Sequence, residues 1–158
     1  MDIGILPPKP DTLFALFGVR KPIIGMIHLL ALPGAPHFPG GSLDPVLDFA
    51  LADVEALCGG GVDGLIVENA WDIPFTKNIG LETVAAMSAL VGPIRKAAGV
   101  PVGINCLANG AIPGLAIAKA SGAQFVRVNQ WVNAYVANEG IIEGAAAEPE
   151  VEDLANFL

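Results

Sequence analysis

Four short apolar runs in this chain each end on polar side chains, and stretches with helical spacing separate them. The runs cover residues 23–27, 65–67, 102–104 and 125–128. The polar residues that close or follow them are His28, Glu68 with Asn69, Asn105, and Arg127 with Asn129. In parallel β/α proteins, apolar strands fill the core and their carboxyl ends present polar groups at one shared mouth. The pattern therefore predicts a parallel sheet with a candidate site at the carboxyl ends of its strands.

The number of strands limits the architecture. A complete eight-stranded barrel needs about 250 residues, whereas this chain has 158 and shows four strand–helix units. Strict alternation of strands and helices is typical of parallel sheets with right-handed crossovers. We therefore predict an α/β fold of parallel (β/α) units, equivalent to the first half of a TIM barrel. The expected organisation is an N-terminal tail at residues 1–21 and a partial barrel at residues 22–158.

Capping residues and prolines set the expected helix ends. Asp44 is expected to cap a helix that has Pro45 in its first turn and ends at the glycines of residues 59–61. Its predicted buried face consists of Val46, Phe49, Ala50, Val54 and Leu57. Two further helices are predicted at residues 82–98 and 112–121. Pro93 should kink or break the first of these, because proline costs about 3 kcal/mol inside a helix.

The remaining segments are predicted to be connections. Residues 1–11 form a Pro-rich tail, and residues 12–17 a short amphipathic turn. Residues 30–42, 71–80 and 130–147 are predicted to be loops, because glycine, proline and polar residues interrupt any periodic pattern there. Glu148-Pro149 could begin a last helix.

Composition and charge exclude several classes of function. The net charge is −8, so the chain lacks the basic surface that nucleic acids or anionic lipids require. The chain is 53% hydrophobic and only 15% charged, against about 25% charged in a typical domain, which argues against a chain that is disordered throughout. The longest apolar stretch is far shorter than the roughly 20 residues that cross a bilayer, and no secretory signal is evident. We expect a cytoplasmic protein with two reduced thiols, Cys58 and Cys106.

Six motifs, taken in order, resemble one known family. They are GMIHLL at 25–30 followed by LP at 32–33, GVDGLIVEN at 61–69, PFTK at 74–77, GIN at 103–105 with Leu107 and Asn109, FVRVN at 125–129, and EGIIEG at 139–144. Their order and spacing resemble the BtpA/SgcQ family over about residues 21–148. The resemblance implies a TIM barrel of the ribulose-phosphate-binding type. For the cyanobacterial namesake it implies a membrane-associated role in the accumulation of photosystem I.

The resemblance also implies differences from complete family members. Members are full barrels, and this chain corresponds to about the N-terminal half of one. The strands that usually carry the phosphate-binding loops of a TIM barrel, the seventh and eighth, fall in the other half. Three polar residues of the family pattern are replaced here, an Arg by Ala108, an Asp by Gly110 and an Asp by Asn138. These replacements put ligand chemistry in doubt and leave the fold prediction unchanged.

Polar residues at strand ends and in the motif loops form the candidate ligand-binding set. The set comprises His28, Glu68, Asn69, Asp72, Lys77, Asn105, Asn109, Arg127, Asn129 and Glu139. His28 could act as a general base or make only structural hydrogen bonds. Glu68 could hold a divalent cation with His28 and Asn105, or could be neutralised by Arg127, which we favour. Lys77 could clamp a phosphate. We predict no bound metal, and the sequence identifies neither a catalytic residue nor a cofactor.

Two functions are compatible with the sequence. In the first, the resemblance implies a factor in photosystem I biogenesis that works with the assembly machinery, peripheral at the thylakoid membrane, and catalyses no reaction. In the second, the barrel is an enzyme or sensor for a small anionic ligand, a phosphorylated sugar or nucleoside, and we expect that activity to be lost in a half-barrel. The outer strands of a half-barrel leave backbone groups unpaired, so we also expect self-association through the sheet edges.

Overall fold

The computed structural model describes residues 11–148, in which helices and strands alternate. The elements are α1 Thr12–Phe17, β1 Ile24–His28, α2 Asp44–Gly59, β2 Gly64–Glu68, α3 Leu81–Ala98, β3 Val102–Asn105, α4 Ala111–Ser121, β4 Phe125–Arg127, β5 Ala134–Ala137 and β6 Gly140–Glu143. The helix predicted to begin at Glu148-Pro149 lies outside the described residues. The four predicted strands and three predicted helices are all present, and their bounds shift by two residues at most.

The first four strands form one parallel sheet in the order β1-β2-β3-β4. With right-handed crossovers, this sequential order places α2, α3 and α4 on a single face of the sheet. A doubly wound fold would instead reverse its strand order and carry helices on both faces. The α/β architecture is therefore that of part of a TIM barrel, as the sequence predicts.

The outer face of the sheet, against which these helices pack, contains the core. Ile27, Val67 and Ile104 occupy one level of this face and are fully buried. Helix residues that pack against them include Val46, Ala50, Val54, Met87, Val91, Ile94 and Ile117. A Cβ built on Gly25 would touch Leu57 of α2 at 3.0 Å, so this glycine lets α2 approach β1 closely.

The inner face carries the alternate residues of each strand. Met26, Ile66, Gly103 and Phe125 form one level of this face. The α1 helix reaches it, because the ring of Phe17 packs edge-on against that of Phe125, with centroids 5.4 Å apart. A short helix within the predicted tail thus covers part of the amino-terminal end of the sheet.

Helix α2 begins and packs differently from the prediction. Asp44 is its first residue rather than its cap, and the preceding Leu43 makes no side-chain cap. Ser42 takes over that role, since its Oγ accepts a hydrogen bond from the Asp44 backbone N–H at 3.2 Å. Phe49 is 43% exposed, so its predicted burial is wrong. The buried residues of α2, Val46, Ala50 and Val54, are spaced four positions apart. Phe49 lies beside this line of residues and remains exposed.

Helix α3 continues through Pro93, so of the kink or break predicted there, the break is wrong and the kink stays a prediction. Leu90, Val91 and Ile94 are buried around the proline, whereas Pro93 itself is exposed. The apolar packing on both sides of the proline holds the turn in place. None of the helices between residues 11 and 148 is long and apolar enough to cross a membrane.

Residues 130–147, predicted to be a loop, contain an antiparallel hairpin. Strands β5 and β6 pair from Ala134 with Glu143 to Ala137 with Gly140. The turn residues are Asn138 and Glu139, and Gly140 has a φ of +100°, which glycine adopts without strain. A short loop followed by glycine in this conformation is a common hairpin connection. Ile142 anchors the hairpin with a buried side chain.

Candidate functional site

Four predicted site residues lie at one level of the sheet. His28 pairs with Glu68, Glu68 with Asn105, and Asn105 with Arg127, each on the neighbouring strand. They follow the Met26 level by two residues and therefore share the inner face. We call these four residues the polar row. The convergence that the sequence predicts at the carboxyl ends of the strands is confirmed for all of them.

The Glu68 carboxylate is the centre of the polar row. Glu68 is 7% exposed, and Asn105 donates a hydrogen bond from Nδ2 to its Oε1. Arg127 Nη1 lies 3.6 Å from the same oxygen, and His28 Nε2 lies 3.2 Å from Oε2. Both oxygens thus have partners, as a buried carboxylate requires. The predicted proximity of Glu68 and Arg127 is confirmed.

The two ends of the polar row are accessible to solvent. The side chains of His28 and Arg127 are 51% and 53% exposed, whereas Asn105 is buried. Glu68 orients the His28 ring through Nε2, which leaves Nδ1 for another partner. Arg127 engages Glu68 through Nη1, and a guanidinium has further N–H donors. The row can therefore offer a ligand an imidazole and a cationic donor on opposite sides of a fixed carboxylate.

Asn69 and Asp72 connect three loops at the mouth. Asn69 binds both backbone groups of Leu107 and also donates from Nδ2 to Asp72 Oδ2 at 3.1 Å. Asp72 Oδ1 accepts from the backbone N–H of Leu32 at 2.8 Å. The loops that follow β1, β2 and β3 are thus joined through two side chains. In the structure, these two predicted site residues fix the shape of the mouth.

Asn109 and Asn129 also bind backbone. Asn109 donates from Nδ2 to the carbonyls of Gln130 and Glu143, both at 3.1 Å, and accepts from the Gln130 N–H at 2.8 Å. Asn129 donates to the Ala108 carbonyl at 2.7 Å. Together they attach the segment after β4, including the hairpin, to the loop after β3.

Lys77 lies near Glu143, which the sequence does not single out as a site residue. Its Nζ is 3.6 Å from Glu143 Oε2, and both side chains are largely exposed. Of the two glutamates in the EGIIEG motif, Glu139 lies in the hairpin turn and Glu143 makes the contacts with Lys77 and Asn109. Gly140 was the sequence signal for this hairpin. A hairpin predicted from it would have placed Glu139 in the turn and Glu143 on a strand.

Burial changes the acidity of two groups beside the mouth. Desolvation raises the pKa of Asp72 above its ordinary value of 3.8, although the hydrogen bonds from Leu32 and Asn69 lower it. Burial, with a smaller contribution from the nearby Asp72 carboxylate, raises the pKa of the Cys106 thiol to about 12. Cys106 is therefore a neutral, buried thiol at physiological pH.

Two cavities adjoin the mouth. One of about 460 Å³ lies between Lys77, the first turn of α4 and the hairpin, with Gly110 in its wall. Another of about 370 Å³ lies between the loops after β1 and β2, next to Asp72 and Glu82. Between residues 11 and 148, no three His, Cys, Asp or Glu side chains are grouped closely enough to hold a metal ion.

Comparison with known proteins identifies relatives of the chain. A sequence model of the BtpA family matches residues 19–151. An uncharacterised protein of Archaeoglobus fulgidus is 47% identical over 130 residues, which cover 82% of this chain and 52% of that protein. The photosystem I biogenesis protein BtpA of Synechocystis is 43% identical over 137 residues, 86% of this chain and 47% of that protein. The putative sgc region protein SgcQ of Escherichia coli is 34% identical over 127 residues, 80% and 47% of the two chains.

Each of these matches covers only part of the relative. The chain spans about half the length of the curated relatives it matches. No solved structure matches it.

Proposed function

Because the chain belongs to the BtpA family, we propose that it supplies half of the mouth of a β/α barrel that binds a small anionic sugar derivative. A phosphorylated sugar or a phosphorylated nucleoside is the ligand class we favour. The observation behind this proposal is the polar row, in which one buried carboxylate, Glu68, is held by an amide, an imidazole and a guanidinium.

The chemistry of the polar row favours such a ligand. A scaffold without a ligand would have little use for a buried carboxylate, because removing it from water is costly. Here the carboxylate orients His28, whose second ring nitrogen can exchange a hydrogen bond with a sugar hydroxyl. Arg127 can extend its free N–H groups to an anionic group, where charge-assisted hydrogen bonds are strongest. In an enzyme, the oriented imidazole would serve as an acid or base; in a sensor, it would serve recognition alone.

A thermal unfolding series tests the proposal. The activity expected to be lost in a half-barrel is the reaction or signal of the whole barrel, whereas binding at the polar row needs only residues of this chain. We therefore expect ribose 5-phosphate to raise the Tm of the chain more than inorganic phosphate or ribose does, because both ends of the row would be engaged. Arg127→Met and His28→Ala should each remove this increase. Arg20→Met is a matched control, since Arg20 is a highly exposed arginine 4.0 Å from Asp11, and it should respond as the parent chain does.

Two results would contradict this function. The first is a Tm that is unaffected by ribose 5-phosphate and by a panel of nucleosides and their phosphates. The second is an increase that survives in both Arg127→Met and His28→Ala, since the ligand would then bind elsewhere.

A second candidate function is a role in photosystem I biogenesis. It is supported by the Synechocystis relative of that name, which is 43% identical to this chain. The Archaeoglobus and Escherichia coli relatives carry no such name. A chimera in which this chain replaces the matching half of the Synechocystis protein provides the test. If the role is shared, the chimera should restore photosystem I in cells lacking that protein; an unrestored photosystem, despite normal chimera levels, would contradict it.

A further inference from the structure

We propose that the cavity between the loops after β1 and β2 is a second binding site, which takes a free α-amino acid with an apolar side chain. We call it the loop cavity. Its volume is about 370 Å³, within the range of small-molecule sites. The inference goes beyond the proposed function, because none of the described residues that line the loop cavity belongs to the polar row.

The walls of the loop cavity come from the loops of three adjacent strands. The loop after β1 contributes residues 34–36, and the loop after β2 and the first turn of α3 contribute most of the rest. Leu107, in the loop after β3, also lines it. Asn69 is hydrogen-bonded to Leu107 and to Asp72, and Asp72 in turn accepts from the loop after β1. Hydrogen bonds within this chain therefore hold the walls together.

Thr83 supplies a buried hydroxyl group that lacks a partner. The residue lies in the first turn of α3 and is only 8% exposed. Within residues 11–148, every side-chain N or O atom that is wholly shut off from solvent has a hydrogen-bond partner. The Thr83 hydroxyl makes no hydrogen bond in this part of the chain, so it must reach open space, and the open space beside it is the loop cavity. A ligand there would pair a group that is costly to leave unpaired.

The start of α3 offers further donors to the same cavity. The helix begins after Gly80 without a side-chain cap, and Val84 N–H donates to the Gly80 carbonyl at 3.2 Å. The N–H groups of residues 81–83 precede this bond and have no partner within the helix. Gly80 and Thr83 both line the loop cavity. Free N–H groups at a helix N-terminus, next to a hydroxyl, are suited to binding a carboxylate.

The loop cavity also contains two carboxylates, Asp72 and Glu82, and its described lining includes no basic side chain. Glu82 lies against the loop after β1, because a Cβ built on Gly34 would be 2.6 Å from its Oε1. A Cβ on Gly80 would overlap the same carboxylate, so two glycines make room for it. No ion pair joins Glu82 to a basic side chain in residues 11–148. A ligand that supplies an ammonium group would form charge-assisted hydrogen bonds here.

A free α-amino acid satisfies both sets of groups, because its carboxylate and its ammonium are attached to the same carbon. The carboxylate would accept from Thr83 Oγ1 and from the start of α3, and the ammonium would donate to Glu82 and Asp72. Phe75 and Ile79 provide an apolar wall for the side chain. A simple anion would meet two carboxylates, and a simple amine would leave the hydroxyl and the helix N–H groups unpaired.

Isothermal titration calorimetry with L-leucine tests the site on the complete chain, because three analogues each lack one charged group. Isocaproate lacks the ammonium, and isoamylamine lacks the carboxylate. L-leucinamide carries an amide in place of the carboxylate, as the first residue of a peptide does. We expect L-leucine to bind roughly tenfold or more tightly than each analogue, the usual effect of losing a hydrogen bond to a charged group.

Two variants locate the bound amino acid. Thr83→Val keeps the shape of the side chain and removes the hydroxyl, and Glu82→Gln keeps the length and removes the charge. Each should weaken L-leucine binding by roughly tenfold. Glu55→Gln is the matched control, since Glu55 is an exposed glutamate of α2, and it should bind L-leucine as the parent chain does. The analogue series needs no variant and decides the question if Thr83→Val fails to fold.

Three results would overturn the inference. One is that isoamylamine or L-leucinamide binds as tightly as L-leucine, since the cavity would then take an amine or a peptide N-terminus. Another is that isocaproate binds as tightly, because the ammonium would then have no role. The third is that neither L-leucine nor a panel of other apolar amino acids binds, or that L-leucine binding survives in both variants. None of these measurements involves ribose 5-phosphate or the polar row, so failure here is distinguishable from failure of the proposed function.

Discussion

Asn69 binds both backbone groups of Leu107: its Oδ1 accepts from the N–H at 2.7 Å, and its Nδ2 donates to the carbonyl at 3.3 Å. We expect Asn69→Ala to lower the free energy of unfolding by about 2–3 kcal/mol, since buried hydrogen-bonding groups lose their partner. Urea denaturation measures this. Asn78→Ala is a suitable comparison, because Asn78 is exposed, and it should change stability by less than about 0.5 kcal/mol. Equal effects of the two substitutions would contradict the role assigned to Asn69.

The Asp72 carboxyl should make stability depend on pH in a defined direction. Burial raises its folded pKa above the ordinary 3.8, so the folded chain binds this proton more tightly than the unfolded chain does. The stabilisation is complete below the unfolded pKa and is lost as pH rises through the folded one. We therefore compare the free energy of unfolding of the parent with that of Asp72→Asn. The difference, parent minus variant, should decrease as pH rises from the unfolded pKa to the folded pKa of Asp72, and should stay constant at higher pH. An increase with pH would contradict it.

The two cysteines should differ in reactivity. Cys106 is buried and its pKa is raised to about 12, so it has almost no thiolate at neutral pH and little access to a reagent. Cys58 is half-buried, with its thiol donating to the Ala98 carbonyl at 3.4 Å. A thiol assay on the folded chain should therefore modify Cys58 first, and Cys106 only after unfolding. Peptide mass spectrometry identifies the modified residue, and early modification of Cys106 would contradict this order.

The four strands of the parallel sheet were predictable because each is marked by a short, local stretch of sequence. Buried parallel strands are continuous apolar runs, and His28, Glu68, Asn105 and Arg127 mark where each run ends. The fold class then follows from alternation of elements. The hairpin was missed because the residues at 138 and 139 are Asn and Glu rather than the Asn-Gly pair typical of tight hairpins.

The roles of the asparagines could not be predicted to the same depth. Asn105 ends β3, and the other three asparagines, Asn69, Asn109 and Asn129, lie after strands. The sequence treats all four alike as ligand-binding candidates. In the structure, Asn105 binds a carboxylate and the other three bind backbone of distant loops. An amide has both donors and acceptors, so only the tertiary position of the loops decides which partner it meets. Their ligand-binding role, like that of Lys77, stays a prediction.

Gly103 should be the least replaceable glycine of the sheet. A Cβ built on it would lie 2.3 Å from the Phe125 ring, which crosses this position on the inner face. We expect Gly103→Ala to lower the free energy of unfolding by about 1–3 kcal/mol, the usual cost of overpacking. Gly59→Ala is the matched control: Gly59 is the last residue of α2 and has no atom within 4 Å of its added Cβ, so alanine should leave stability unchanged or raise it by up to about 1 kcal/mol.

A double-mutant cycle assigns the cost of Gly103→Ala to the Phe125 ring. Phe125→Leu removes the ring and also its edge-on contact with Phe17, so it should be destabilising alone. In that background, Gly103→Ala should cost less than in the parent chain, because residues in contact show a coupling of about 0.5–3 kcal/mol. Urea denaturation of the four chains gives the coupling energy. An unchanged cost would mean that the alanine is strained by the backbone of β3 rather than by Phe125, and that the inner face is less tightly packed than the structure indicates.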